Sequence, residues 1–409
     1  MPLRHPSAGG VFFAISLALS CGARRAEALE APSRVSVLTM GPGDHPFTRF
    51  GHNAFLLEWD AGPSRRDAVY NFGTFEFDGL QGVQDFMAGR FRYWLSVGNL
   101  ESTLRVYAAE KRQLTAQELA LSEQERAQLF RALSENALPE HRYYDYDYYR
   151  DNCSTRVRDA LDGVLGGALG RTLVGPGRLT FRQHTLRLVG DTPWLYFGLD
   201  LALGSPTDRP TTRWQELFLP QELHDALGRA FRDVGGQRTP LVRAERTLLS
   251  AKRPAAPLEP PTAWPWFAAA GVALGGSFAA LGSTARKRPP MRVPFGLATA
   301  LLGGLLGALA AALSLFWASK HWAAHANLSL LGCPPWVLLL LPLGVDVALR
   351  GPRSLPGVRW LLGASLVSSS VLCLLSLGTG SHESLRMALL FLPLWAGWWL
   401  GARQVGAAR

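Results

Sequence analysis

The sequence predicts two fold classes in one chain, a mixed α+β domain followed by an all-α bundle of five transmembrane helices. Residues beyond 264 contain five windows of about twenty apolar residues almost free of charge. Residues 31–249 instead alternate in short strand-like runs and then turn amphipathic with helical spacing. The cations of the last third gather in alternate connections between the apolar windows, as membrane topology requires.

In chain order, MPLRHPSAGG carries Arg4, the apolar run VFFAISLALS follows, and Ala26-Glu27-Ala28 supplies a small-x-small triplet. This is the pattern of a secretory signal peptide over residues 1–28, too short for a comfortable span. Cys21 closes the run where a lipoprotein signal would place its acylated cysteine, although Ala18-Leu19-Ser20 departs from that pattern. The exported domain opens with three predicted strands, RVSVLTM, NAFLLEW and AVYNFGTFEF, separated by Gly and Pro. Two capping boxes, Thr115 to Glu118 and Ser122 to Glu125, predict helix starts; the second leads an amphipathic run with Leu129, Phe130 and Leu133 that stops near Asn136 and Pro139. KRPAAPLEPPTAWP makes residues 250–263 a Pro-rich, semi-rigid linker.

The membrane domain spans 264–403, with windows near 264–283, 294–317, 328–348, 358–377 and 384–402, and a short tail of 404–409. Arg286, Lys287, Arg288 and Arg292 follow the first window, Arg350, Arg353 and Arg359 lie between the third and fourth, and Arg403 and Arg409 end the chain. Those connections are therefore cytoplasmic, and everything before residue 264 lies on the outer side, in agreement with the signal peptide. The outer connection KHWAAHANL carries His321, His325 and Asn327, which read first as solvated loop residues and second as groups facing the exported domain. Asp346 is the main ionisable group within the windows, which argues against a pump or proton-coupled transporter.

A net charge of +10 raises nucleic acid as a partner. The arginines are scattered, and no basic stripe interleaves with stacking aromatics, so that class is set aside. There is no phosphate-binding loop, dinucleotide fingerprint or zinc spacing, and no cofactor or metal is expected.

Cys153 is the only cysteine between Cys21 and the membrane windows that hold Cys333 and Cys373. An exported domain normally pairs its structural cysteines, so a solitary one is either a buried small hydrophobe or a functional thiol. Val157, Leu161, Val164 and Leu165 share one helical face, with Asp151 or Asn152 available as N-cap, which puts Cys153 in the first turn. There the helix dipole and free N–H groups favour a thiolate and would receive an oxyanion. A thiolate nucleophile works beside a histidine. Of His45, His52, His141, His184 and His224, His52 stands at the start of a strand and is aimed most rigidly, while a satisfied structural histidine is the competing reading. Asn71, on the next strand, is the candidate to orient His52, or else the ordinary turn chemistry of an Asn near a Gly. Tyr146 and Tyr148, within the Tyr/Asp run before the Cys helix, are candidate stacking surfaces for substrate, or core rings of a half-buried strand. Arg156 is a candidate for a substrate carboxylate or phosphate, or for an ion pair with Asp159 or Asp162.

FGHNAFL, VYNFGTFEF, FMAGRFRYWL, YAAEKRQLTAQELALSEQER, YDYDYYRDNCSTRVRD, LYFGLDLALGSPTDRP and LFLP together resemble the Lnb-type N-terminal periplasmic domain family over about residues 35–225. The order of His, then a polar residue on the next strand, then Asn-Cys opening a helix is also similar to circularly permuted papain-like thiol enzymes of the NlpC and lecithin:retinol acyltransferase types. These resemblances imply a permuted papain-like α+β domain outside the membrane, with Cys153 as nucleophile, His52 as base and Asn71 as orienter. They also imply an integral inner (cytoplasmic) membrane protein with its N-terminal domain in the periplasm. The function expected is a thiol hydrolase or acyltransferase acting on an amide or ester of cell wall, lipoprotein or lipid; the alternative is a non-catalytic envelope binding or scaffold module.

Overall fold

The computed structural model describes residues 30–60, 66–76, 79–379 and 382–406; the signal peptide expected over residues 1–28, with Cys21, lies outside the described residues. The N-terminal half is built on a seven-stranded antiparallel sheet. Its strands are β1 (Arg34–Met40), β2 (His52–Trp59), β3 (Arg66–Phe75), β4 (Arg92–Gly98), β5 (Leu114–Leu119) and β6 (Tyr143–Asp145), with Val242–Leu249 added late. That late strand pairs with β5, and the order runs on through β1, β2, β3, β4 and β6.

The helices of this half are α1 (Gly79–Ala88), α2 (Leu100–Ala109), α3 (Glu123–Asn136) and α4 (Cys153–Val164), with further short helices up to residue 229. Strand periodicity divides the apolar side chains between two faces. Val35, Val37, Phe55 and Leu57 pack with Leu129 and Leu133 of α3 and Val157 and Leu161 of α4. Leu38, Met40, Ala54 and Leu56 pack with Leu100, Leu104 and Tyr107 of α2. Both faces are covered, which is why the central strands read as nearly continuous apolar runs.

The Ser122 capping box forms as expected: Ser122 N donates to Glu125 Oε2 at 2.7 Å, and Glu125 N donates to Ser122 Oγ at 3.3 Å. The box predicted at Thr115 to Glu118 does not. Those residues form β5, paired on both sides by β1 and Val242–Leu249. Two ladders of backbone hydrogen bonds and burial of Leu114 and Ala116 outweigh a local motif worth about 1 kcal/mol.

Five helical segments are long and apolar enough to cross a membrane: Trp264–Lys287, Pro289–Ala318, Ser329–Arg350, Pro352–Gly378 and Ser384–Gly406. The first and fifth pack through small residues, and a Cβ on Gly275 would run into the Pro393 carbonyl. Replacing Gly275 with leucine is expected to separate these helices, read as loss of the folded species in detergent by size-exclusion chromatography; an unchanged elution profile and thermal midpoint would contradict it.

The two halves share a core. Tyr196 and Leu201 of helix Pro193–Ala202 are buried in the same apolar cluster as Phe267 of the first span and Trp395 of the fifth. The segment 250–263 has no helix or strand, yet it is tied down rather than free: Arg187 Nη1 donates to Pro257 O at 2.9 Å, and Arg253 Nη1 pairs with Asp44 at 2.7 Å. The loop between the second and third spans also meets the outer half. Asn327, 3% exposed, donates from Nδ2 to Leu201 O at 2.7 Å, and His321 Nε2 lies 2.5 Å from Phe86 O. The solvated-loop reading of these two residues is thereby overturned, because the loop packs against protein.

Candidate active site

The α4 helix begins on a polar clasp. Asn152 is its N-cap: its Oδ1 accepts from the N–H groups of Ser154 and Thr155, both at 2.9 Å, and Thr155 Oγ1 accepts from Asn152 N at 2.7 Å. Asn152 Nδ2 donates to Tyr148 O at 2.7 Å and Phe218 O at 2.9 Å, so every polar group of this side chain is used. Ser154 Oγ donates to Asn53 Oδ1 at 2.6 Å, and Asn53 Nδ2 is bonded to Leu38 O and Thr39 Oγ1 on β1. The first turn of α4 is thus fastened to the start of β2, where His52 stands.

Replacing Asn152 with alanine is expected to lower stability by about 2–3 kcal/mol, combining a lost cap with two buried carbonyls left unpaired. Thermal unfolding of the full chain in detergent checks this; a loss within about 0.5 kcal/mol, the range of neutral surface changes, would contradict it.

His52, Asn71 and Cys153 meet at this point. His52 Nε2 lies 2.5 Å from Asn71 Oδ1 on β3. An imidazole has two nitrogens, so Nδ1 is the one left for Cys153. Gly73, at φ +97°, carries β3 past the pair, and a Cβ there would sit 3.5 Å from His52 Cε1 and 3.8 Å from Cys153 Cβ. Space is ordinary, but the backbone conformation is not one for L side chains. Gly73→Ala is expected to cost about 1–3 kcal/mol in stability, measured by the same unfolding assay; no shift would mean that β3 relaxes freely at this position.

Cys153 is 7% exposed. Burial alone would push its thiol upward, but the charge of His52, a hydrogen bond from its ring, and backbone hydrogen bonds at Asn53 and Ser154 outweigh burial and hold the thiol below its ordinary range. Conversely, burial disfavours a charged His52, while the Cys153 charge and hydrogen bonds to Cys153 and Asn71 raise the imidazole above its usual value. Each group is the main opposing influence on the other's burial, so Cys153 and His52 titrate as a pair.

The remaining predicted residues lie around this pair in different ways. Tyr146 stacks on Tyr93 at 4.0 Å between centroids, and burial followed by the Cys153 charge pushes its phenol well up. Tyr148 packs edge-on to Phe50 and Phe218, and burial, then neighbouring phenols and Cys153, raise it too. The Tyr146–Tyr149 stretch is a turn rather than the half-buried strand expected; only Tyr143–Asp145 pairs with β4. Arg156 is committed to Asp151 at 2.6 and 2.8 Å and lies 3.6 Å over the Tyr144 ring, so neither Asp159 nor Asp162 is its partner.

The other histidines have structural surroundings. His45 caps a short turn, His141 meets Glu135 at the surface at 2.9 Å, His184 is buried against Glu216 at 2.8 Å, and His224 lies 3.6 Å from Glu245. Sequence reasoning missed Asn53, Ser154 and Gly73. Asn53 left one signal, a polar residue at the head of an otherwise apolar strand. Of the helix N–H groups expected to receive an oxyanion, that of Thr155 is taken by Asn152, and that of Ser154 is shared between Asn152 and the Cys153 sulfur.

Residues 24–189 match the family model of the Lnb N-terminal periplasmic domain, a stretch that contains His52, Asn71 and Cys153. No curated protein and no solved structure matches the chain.

Proposed function

We propose that this membrane protein, whose segment 24–189 is an Lnb N-terminal periplasmic domain, is a thiol-dependent acyl-transfer enzyme. The observation that carries this reading is the contact of Cys153, His52 and Asn71 at the head of α4, with the thiol lowered and the imidazole raised. The substrate is an ester or amide of a lipid, lipoprotein or cell-wall component presented at the outer face of the inner membrane. Shared packing between the outer half and the spans supports a membrane-presented substrate.

The Cys153 thiolate attacks the carbonyl carbon, forming a C–S bond as the carbonyl electron pair moves to oxygen. With Ser154 and Thr155 N–H groups committed, the developing oxyanion is received by the N–H of Cys153 itself. The tetrahedral species collapses as the C–O or C–N bond breaks, and the His52 imidazolium gives its proton to the leaving group. The neutral His52 then removes a proton from water or an acceptor nucleophile, which attacks the thioester and releases the thiolate. Asn71 keeps Nδ1 turned toward sulfur throughout.

The competing reading, a scaffold that keeps the fold without the chemistry, is favoured by one observation, the burial of Cys153. Iodoacetamide labelling of the full chain in detergent, read at Cys153 by mass spectrometry, separates them. Labelling with a midpoint well below the unperturbed thiol value of about 8.5 is expected. Labelling only above that value, or only after unfolding, would leave the scaffold reading.

A further inference from the structure

We infer that the loop between the second and third spans is a structural part of the thiol site, with Trp322 acting as a positioning residue for the turn that presents Cys153. This rests on the reading of Cys153 as the nucleophile. The turn closes on itself: Asp147 N donates to Asp151 O at 3.1 Å, and Asp151 N returns to Asp147 O at 3.0 Å. Asn152, the cap that sets the direction of α4, follows directly. Asp147 organises the turn with one carboxylate oxygen, Oδ1, which accepts from Tyr149 N at 2.9 Å and Arg150 N at 3.0 Å. Its other oxygen, Oδ2, accepts from Trp322 Nε1 at 2.5 Å, a bond that crosses from the membrane half to the outer half.

Trp322 is held on the turn by more than that bond. The Arg150 guanidinium lies 3.6 Å over its ring, and Tyr149 and Phe181 pack edge-on to it at 5.7 and 5.9 Å. The loop is anchored on either side: Lys320 pairs with Asp145 at 2.8 Å, and Ala323 O accepts from Gly204 N at 2.7 Å. A tether needs none of these contacts. A device that keeps the thiol in register with the membrane surface needs all of them, because a displacement of about 1 Å at a reacting group costs as much as a hundredfold in rate.

The test is a double-mutant cycle in the full chain, using Trp322→Phe and Asp147→Asn, with His52→Ala as reference. Trp322→Phe keeps an aromatic ring beside Arg150, Tyr149 and Phe181 while removing the N–H donor along with part of the indole. Asp147→Asn keeps an oxygen for Tyr149 and Arg150 but turns an amide NH2 toward Trp322. Each variant is expected to slow low-pH labelling of Cys153 by about tenfold, with the high-pH plateau unchanged and the double variant no slower than either single one. A purely electrostatic role for Asp147 predicts the opposite sign, since removing a negative charge favours the thiolate.

Wild-type profiles in both single variants, or faster labelling in Asp147→Asn, would overturn the inference while a slow His52→Ala left the enzyme reading intact. A His52→Ala profile identical to wild type would remove the nucleophile, and the inference with it. Trp322→Ala, followed by thermal unfolding, distinguishes packing from positioning: a lowered midpoint with an unaltered pH profile would mean packing alone and overturn the inference.

Discussion

His52→Ala is expected to slow iodoacetamide labelling of Cys153 at pH 6 by about tenfold or more, one decade for each unit by which the thiol value rises. The sign follows from the opposing causes at this site. Burial raises the thiol, and His52 supplies both the charge and the hydrogen bond that reverse it. Without His52, burial stands opposed only by backbone hydrogen bonds, so the midpoint moves up and the low-pH rate falls while the plateau at high pH is retained. Asn71→Ala is expected to act in the same direction and more weakly, because it removes a hydrogen bond that favours the imidazolium but leaves the thiolate charge in place. The pair also makes stability pH-dependent in a defined window. The depressed Cys153 contributes stability that is lost as pH falls through its folded value, and the raised His52 contributes stability that is lost as pH rises through its own. Equal labelling of wild type and His52→Ala at pH 6 would dissolve the pair.

Asp200→Asn is expected to destabilise the fold more than Asn152→Ala or Gly73→Ala does, by about 3–5 kcal/mol. Asp200 is fully buried and sits between two guanidinium groups: Arg182 Nη1 at 3.2 Å, and Arg386 of the fifth span at 2.8 and 3.0 Å. Asp208 remains beside Arg182 at 2.5 Å, while the variant takes from Arg386 the buried carboxylate that accepts from its Nε and Nη2. Removing one member of a buried ion network strands the rest in a low-dielectric site, whereas replacing all of it by apolar groups need not destabilise. Because this network joins the outer half to the fifth span, limited proteolysis should also separate the two halves in Asp200→Asn before either unfolds. A thermal midpoint within experimental error of wild type, with unchanged proteolysis, would show that the shared apolar core carries the junction alone.

Much of this architecture is legible in the sequence. The strands RVSVLTM and NAFLLEW, the amphipathic helix ending at Asn136 and the five spans follow from periodicity and length, because side chains at period 2 or 3.6 must reach an apolar layer wherever the chain goes. Cys153 and His52 stand out for the same local reason, a helix start and a strand start where a side chain is aimed. Other features are not legible. The box at Thr115 to Glu118 becomes a strand because two distant segments offer it hydrogen-bonding edges. Asp151, not Asp159 or Asp162, takes Arg156 because the N-terminal turn brings its carboxylate to the guanidinium.

Composition and spacing alone determined that this chain has an outer α+β half, five apolar spans and one solitary thiol at the head of a helix. Only the tertiary structure decided that Asn71 meets His52, that Asn53 clasps Ser154, and that Trp322 of a membrane loop touches the turn before Cys153. The physical reason is separation along the chain. Periodicity reports what a residue does to its neighbours in sequence, whereas contacts across 19, 101 and 175 residues exist only once burial and strand pairing have brought the segments together.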